Sequence, residues 1–476
     1  MDKTYFLTQS TSLILVIAIS LIFAFLGIFH SKKFKGINNY LTANRNIGLF
    51  SLTTSLVASA LGAWILFGPV AAATWGGVGA VIGYALGTAF PMIFLIYFGK
   101  KIRKEFPKGS SLVEFMRKKF SKSLFKLILL MTIFYMFIFL CAEVTAVAVL
   151  INYISGTELW ITALIVLLFT LVYTLYGGLK ASIFTDNLQM IVIGILLFIS
   201  FYYLNSFTGS QFSFDFINKK NPYLLSSSYV PSYTAGLTFF IAVAATNLFH
   251  QGNWQRVYAA RDNKVLKKSL VISFLIIITI VFLMGFSGLV AVSSNSEVIS
   301  DLEFFSLLLK EQTLFLSIII IILGISLTIS SIDTLINAIS SLIIVDGNNL
   351  LNIKRDYFKL SKYIMMLLSI ISFYVASQGL SILYLFLLAD LFCCAAVLTI
   401  FVSFYNNSIN EKSAYISIIT GLFVGLLFFP SPDFSKSILI GILFPVEFFP
   451  PFMAQSLLFL SFILSTLIPM TTWKIK

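Results

Sequence analysis

Seven oxygen-bearing side chains, Ser326, Ser330, Asp333, Thr334, Asn337, Ser340 and Ser341, interrupt an otherwise apolar stretch from Leu314 to Val345. At about 100° per residue they fall within an arc of roughly 120°, so a helix here has one oxygen-lined face and is greasy elsewhere. A carboxylate in the middle of a bilayer is costly unless it is paired or holds a cation. Hydroxyl and carboxylate oxygens are also the ligands that hard cations such as sodium prefer. The pattern predicts a cation site inside a transporter.

Other segments offer partners for it. Between Ala58 and Pro69, Gly62, Gly68 and Pro69 weaken a helix in mid-membrane, where unwound carbonyls ligate cations and half-helix ends face solute; the alternative is an ordinary proline kink. After Gly177-Gly178 and Lys180, Asp186 sits two helical turns into a span and demands a partner, either a cation or proton shared with Asp333 or Lys180 itself. Asn247, His250 and Gln251 surround Gly252, a second point where a helix can break, and suit hydrogen bonding to a small polar solute. Trp254 and Arg256 beyond them read as interfacial anchors. Glu143 and Asp390 also lie within apolar spans; each either faces a central cavity and meets an amine on the solute, or is a protonated acid bonded to a backbone carbonyl.

The elements that must position these residues follow from composition. The chain has 476 residues, 59% hydrophobic and 11% charged, the composition of an all-α polytopic membrane protein. Three cysteines and two histidines supply neither a disulfide framework nor a haem or zinc ligand set, and phosphate loops and nucleophile elbows are missing, which argues against an enzyme. Hydropathy marks about thirteen transmembrane helices. With the N-terminus outside and the C-terminus cytoplasmic, 27 of the 32 lysines and arginines fall on the inner side. The net charge of +13 is therefore a topology signal and needs no nucleic-acid partner. The first span has no basic leader and is read as a retained helix, not a cleaved signal. The basic segment 100–122 contains Ser110 to Met116, which reads as a short serine-capped amphipathic helix.

Span counting divides the chain into an extra N-terminal helix (1–46), a first set of five (47–204), an external loop (205–233), a second set of five (234–405) and two C-terminal helices (406–476). An odd number of spans per set makes the second run opposite to the first, the arithmetic of an inverted repeat with its site at the membrane midplane.

Together these segments resemble the sodium/solute symporter family over nearly the whole chain, most specifically in Gly177-Gly178-Leu179-Lys180-Ala181 with Thr185-Asp186, and in Ser330-Ser331 followed by Asn337 and Ser340-Ser341. The resemblance implies a LeuT-like 5+5 inverted repeat. It implies a sodium site formed by carbonyls of Ala58, Leu61 and Leu327 with the hydroxyls of Ser330 and Ser331. It further implies a second cation or proton site at Asp186, Asp333 and Thr334. Leu327 stands where a small residue is usual, which a carbonyl ligand tolerates; Asp333 stands where serine is frequent and adds negative charge. The polar set of the sugar-transporting members is not evident, and 106–115 with 251–260 look more like the proline and the urea or polyamine branches.

The expectation is thus a sodium-coupled symporter importing a small polar organic solute, such as proline or a urea- or polyamine-like molecule, across a bacterial inner membrane. Candidate solute contacts are Gly62, Trp64, Glu143, Asn247, His250, Gln251 and Asp390. A proton-coupled symporter of the same fold and a transporter-like solute sensor are the competing readings.

Overall fold

The computed structural model describes residues 5–33, 36–117, 119–120, 122–294, 301–310, 313–347, 356–406, 408–434, 436–443 and 456–474. The longer helices in chain order are α1 (Gln9–Ser31), α2 (Leu49–Ala60), α3 (Gly68–Glu105), α4 (Lys122–Ser155), α5 (Leu159–Thr208), α6 (Val230–Phe249) and α7 (Gln251–Ala259). They are followed by α8 (Asn263–Ser293), α9 (Leu314–Leu342), α10 (Tyr357–Ser377), α11 (Ile382–Ser403), α12 (Glu411–Phe428) and α13 (Leu457–Leu467). Ten described helical segments are long and apolar enough to cross a membrane, and α2 and the segment Leu457–Thr472 are shorter apolar helices.

Helix starts follow local capping chemistry. Thr8, Asp262, Ser381, Asp356 and Asn410 each accept a hydrogen bond from a backbone N–H of the first turn, which satisfies a donor that the helix leaves orphaned. The capped helix expected near Ser110 is present as Leu112–Met116. The Ser111 hydroxyl accepts from the Glu114 N–H at 2.8 Å and the Glu114 carboxylate accepts from the Ser110 N–H at 2.9 Å.

Two positive-φ glycines divide the longest helices. Gly77 (φ +58°) interrupts α3 and Gly178 (φ +59°) interrupts α5. At Gly178 the backbone lies against the Tyr40 ring, so the position excludes a side chain twice over, by conformation and by space. These breaks fall at the boundaries that hydropathy marks between 47–75 and 77–99 and between 157–176 and 178–204.

The break anticipated between Ala58 and Pro69 is real. α2 ends at Ala60, Leu61 adopts φ −109° and ψ 88°, a single 3₁₀ turn spans Ala63–Leu66, and α3 starts at Gly68. Pro69 lies in the first turn of α3, where its missing N–H costs nothing, so it begins the second half-helix instead of kinking a continuous one. The second break falls at His250 (φ −60°, ψ 107°) and not at Gly252. Gly252 serves another purpose: a Cβ there would press on the Thr334 methyl at 2.6 Å, so it lets α7 approach α9.

α9 is the interior of the bundle. Of its most apolar window 83% is buried, against 33% for α1. It packs on α5 and α4 and touches α7 and α2, while α3 lies along α8 and α6. Its predicted oxygen-lined face is buried along its whole length from Ser326 to Ser341.

Candidate functional site

The last carbonyls of α2, Ala58 to Leu61, lie at a helix end where no further turn supplies donors. Immediately after them the Ala63 N–H donates to Glu143 Oε2 of α4 at 3.0 Å. Gly62 lies so close to Glu143 Oε1 and to Ser331 Oγ of α9 that a Cβ would overlap both. The broken helix therefore meets a carboxylate of α4 on one side and a hydroxyl of α9, beside its oxygen-lined face, on the other.

Beside this junction is a cavity of about 30 Å3 lined by Ser59, Trp64, Glu143, Thr246, Asn247, His250, Ser331 and Asp390, together with aromatic and aliphatic groups. Five of the seven expected solute contacts thus converge on one space, and Gly62 borders it. Asp390 accepts from the Thr246 hydroxyl at 2.6 Å. Glu143 Oε1 and His250 Nδ1 have no hydrogen-bond partner among the described residues. Trp64 stacks on Tyr84, ring centroids 5.5 Å apart, which gives the cavity an aromatic wall. Room for only about two waters means that helix movement must widen the cavity before an organic solute fits.

Gln251 lies elsewhere. Its amide donates to the Ser110 carbonyl at 2.9 Å and to Ser341 Oγ at 3.2 Å, because the break at His250 turns the first residue of α7 toward the basic end of the bundle.

Adjacent residues on α9 point to different neighbours. Ser331 lines the cavity, whereas Ser330 Oγ donates to Asp186 Oδ1 at 2.8 Å. Leu327 is one turn earlier and fully buried, as is Ala58.

Asp186 has a partner that the sequence reading assigned to another role. Arg256 Nη2 donates to Asp186 Oδ2 at 2.8 Å, and both side chains are fully buried. Arg256 is therefore a buried counterion and not an interfacial anchor; Trp254 is equally buried, its indole donating to the Leu248 carbonyl. The same guanidinium donates to Ser55 Oγ at 2.7 Å, to the Gly252 carbonyl at 3.1 Å and to Thr334 Oγ1 at 3.0 Å, tying α7 to α2, α5 and α9. Asp333 accepts hydroxyls from all around: Tyr173 at 2.6 Å, Ser182 at 2.9 Å, Thr185 at 3.1 Å and Thr334 at 3.4 Å. Two carboxylates and one guanidinium leave a formal charge of −1 when all are ionised, in a place where an unbalanced charge is costly.

Ser55, Tyr173 and Ser182 do not stand out in the sequence, and Arg256 stands out there only as an interfacial anchor. The signal for Arg256 was present: a carboxylate within a span requires a cation, and this is an arginine only a few residues past a helix break. Its place near a helix end, where cations usually anchor at the interface, hides that role.

Comparison with known proteins agrees with this architecture. The Sodium:solute symporter family model matches residues 40–421. The spermidine transporter DUR31 of Candida albicans is 25% identical over 409 residues, covering 84% of this chain and 77% of that protein. A sodium/glucose cotransporter of Vibrio parahaemolyticus is 26% identical over 294 residues, covering 56% of this chain and 52% of that one. Among solved structures, a Na+-coupled sialic acid symporter superposes with a TM-score of 0.75 at 15% identity, covering 98% of this chain and 96% of that chain. Mhp1, a nucleobase-cation-symport-1 family transporter, follows at 0.57 and 13%, covering 92% and 96%. At these identities the superpositions speak for the fold, which is LeuT-like. With a family model spanning most of its length and a bundle of apolar helices broken at two points around a polar cavity, this integral membrane protein belongs to the sodium:solute symporter family.

Proposed function

We propose that the chain is a sodium-coupled symporter that imports a small organic cation of the amine class. One observation carries the substrate class. Glu143 and Asp390 both line the central cavity, and among the described residues no lysine, arginine or histidine makes an ion pair with either. Buried carboxylates without a fixed counterion select a cationic guest, and an aromatic wall adds cation–π attraction to an ammonium group. The spermidine-transporting relative fits this reading.

Sodium coupling rests on the junction of Ala58, Leu61, Leu327, Ser330 and Ser331. A sodium ion there bridges the broken helix and α9, stabilises the outward-open form and raises solute affinity by linkage; its release inside lowers that affinity again. Asp186, Asp333 and Thr334 form the second site, and Arg256 supplies one cation to it permanently. With the one guanidinium paired to Asp186, Asp333 is the carboxylate left to take a proton or an ion, which is the observation that favours proton coupling as the second reading. The charge bias supports an N-terminus outside, a cytoplasmic C-terminus and a plasma membrane of bacterial inner-membrane type. Helix breaks in the first member of each five-helix set support the inverted-repeat division at 47–204 and 234–405.

The test is uptake into proteoliposomes of polyamines, proline, urea, betaine and sugars under an inward sodium gradient, and again under a pH gradient without sodium. Sodium-driven uptake of an amine supports the proposal. Uptake of only neutral solutes rejects the amine class, and pH-driven uptake without sodium rejects sodium coupling.

A further inference from the structure

A second pocket of about 340 Å3 opens at the end of the bundle opposite the lysine-rich segments. Its walls include Trp75 of α3, Asp301, Glu303 at the start of the short helix Glu303–Leu308, and Ser381 ahead of α11. Asp301 is held by hydrogen bonds from Ser381 and the Ile382 backbone, in a positive-φ conformation of 63° that a side-chain-bearing residue rarely adopts. Glu303 is only 4% exposed, and its Oε2 finds no hydrogen-bond partner among the described residues. No lysine or arginine among the described residues forms an ion pair with either acid. Two fixed carboxylates, one with an unsatisfied buried oxygen, thus share a pocket with a large aromatic ring.

An aromatic series joins this pocket to the central cavity. Trp75 lies 5.9 Å from Phe239, Phe239 4.8 Å from Tyr84, and Tyr84 5.5 Å from Trp64, centroid to centroid. Trp75 lines the outer pocket, whereas Tyr84 and Trp64 line the inner one. The stacked faces of Phe239, Tyr84 and Trp64 cover one another, whereas Trp75 is exposed and offers a ring face to a cation; the pockets at the two ends of the series are both acidic.

We infer, resting on the amine reading of the central cavity, that the pocket at Trp75, Asp301 and Glu303 is a separate capture site for organic ammonium ions ahead of Glu143 and Asp390. Its volume accommodates a linear di- or triamine, and its two acids match a ligand with more than one ammonium group. An acidic, partly desolvated antechamber also raises the local concentration of a cation ahead of the narrower inner cavity.

The site is tested by equilibrium dialysis of radiolabelled spermidine against the full chain in nanodiscs, in sodium, with Glu303→Gln, Asp301→Asn, Trp75→Phe and Glu143→Gln variants. Two molecules bind per wild-type chain; Glu303→Gln with Asp301→Asn leaves one, and Glu143→Gln leaves the other. Trp75→Phe, which keeps an aromatic ring and so the packing, raises the amine concentration for half-filling of the outer site by roughly severalfold. A single wild-type site that vanishes in Glu143→Gln and persists in Glu303→Gln overturns the outer site while sparing the amine reading of the central cavity. Absence of any amine binding overturns both.

Discussion

Ser330 and Ser331 are neighbours in sequence with different surroundings. Ser331 meets the broken helix at Gly62, and Ser330 donates a hydrogen bond to Asp186. Removing either hydroxyl withdraws one proposed sodium ligand, so Ser331→Ala and Ser330→Ala should each raise the sodium concentration for half-maximal uptake, by about tenfold if the ligand contributes about 1.4 kcal/mol. Sodium titrations of uptake in proteoliposomes measure this, and an unchanged dependence in both variants rejects the site. Arg256 is more exacting. Arg256→Gln leaves Asp186 buried without its counterion and should destabilise the protein by about 3–5 kcal/mol, whereas the double change Arg256→Gln with Asp186→Asn should recover part of the loss because no charge remains stranded. Thermal unfolding in detergent distinguishes the two. At this scale the sequence was partly legible. Glu143, Asp390 and Ser331 stand out as polar atoms in apolar spans, and the cavity collects them. The Asp186–Arg256 pair does not, because it joins α5 to the far side of a break 70 positions away and only the packing of α7 against α9 brings the two together.

Elements were more legible than contacts. Gly62, Gly68 and Pro69 mark the first break because each weakens helical propensity at a span centre. The second was displaced by two residues: Gly252 is small for the sake of its neighbour Thr334, and the backbone turns at His250 instead. A glycine in sequence does not say which of its two uses, freedom of φ or closeness of approach, the fold requires. The segment carrying Asp301 and Glu303 is another element whose behaviour follows from placement. Burial pushes Asp301 above the usual carboxylate range and Glu303 up to about 7, with the Asp301 charge adding to the latter. Asp301 is the other titratable group among the side chains lining that pocket. A carboxylate holds an ammonium only when ionised, so the stabilising charge is present above the shifted value and lost below it. Amine binding to the outer site should therefore weaken as pH falls from 8 to 6, while the amines stay protonated throughout, and Glu303→Gln should flatten the profile. Dialysis at stepped pH reads it directly.

For the molecule as a whole, composition and the distribution of lysine and arginine already indicate a membrane bundle, and the helices match the hydropathy segments because lipid forces backbone polar groups to pair within each segment. What hydropathy could not rank is which helix is central. α9 and α1 are both strongly apolar, yet one is the interior and the other the rim, since the oxygen-bearing face of α9 is kept from lipid only inside the bundle.

The permanent partnership of Arg256 with Asp186 has an electrical consequence. A guanidinium that travels with its carboxylate carries no net charge across the membrane, whichever way the cavity faces. If it also denies Asp186 to a second sodium, one cycle with a singly charged amine moves two positive charges. At −100 mV that drives uphill accumulation with about 4.6 kcal/mol, roughly three decades of concentration ratio before any sodium gradient is counted. Current recorded alongside tracer flux should then give two charges per monoamine; a ratio of three would mean that Asp333 recruits a further cation despite the arginine beside it.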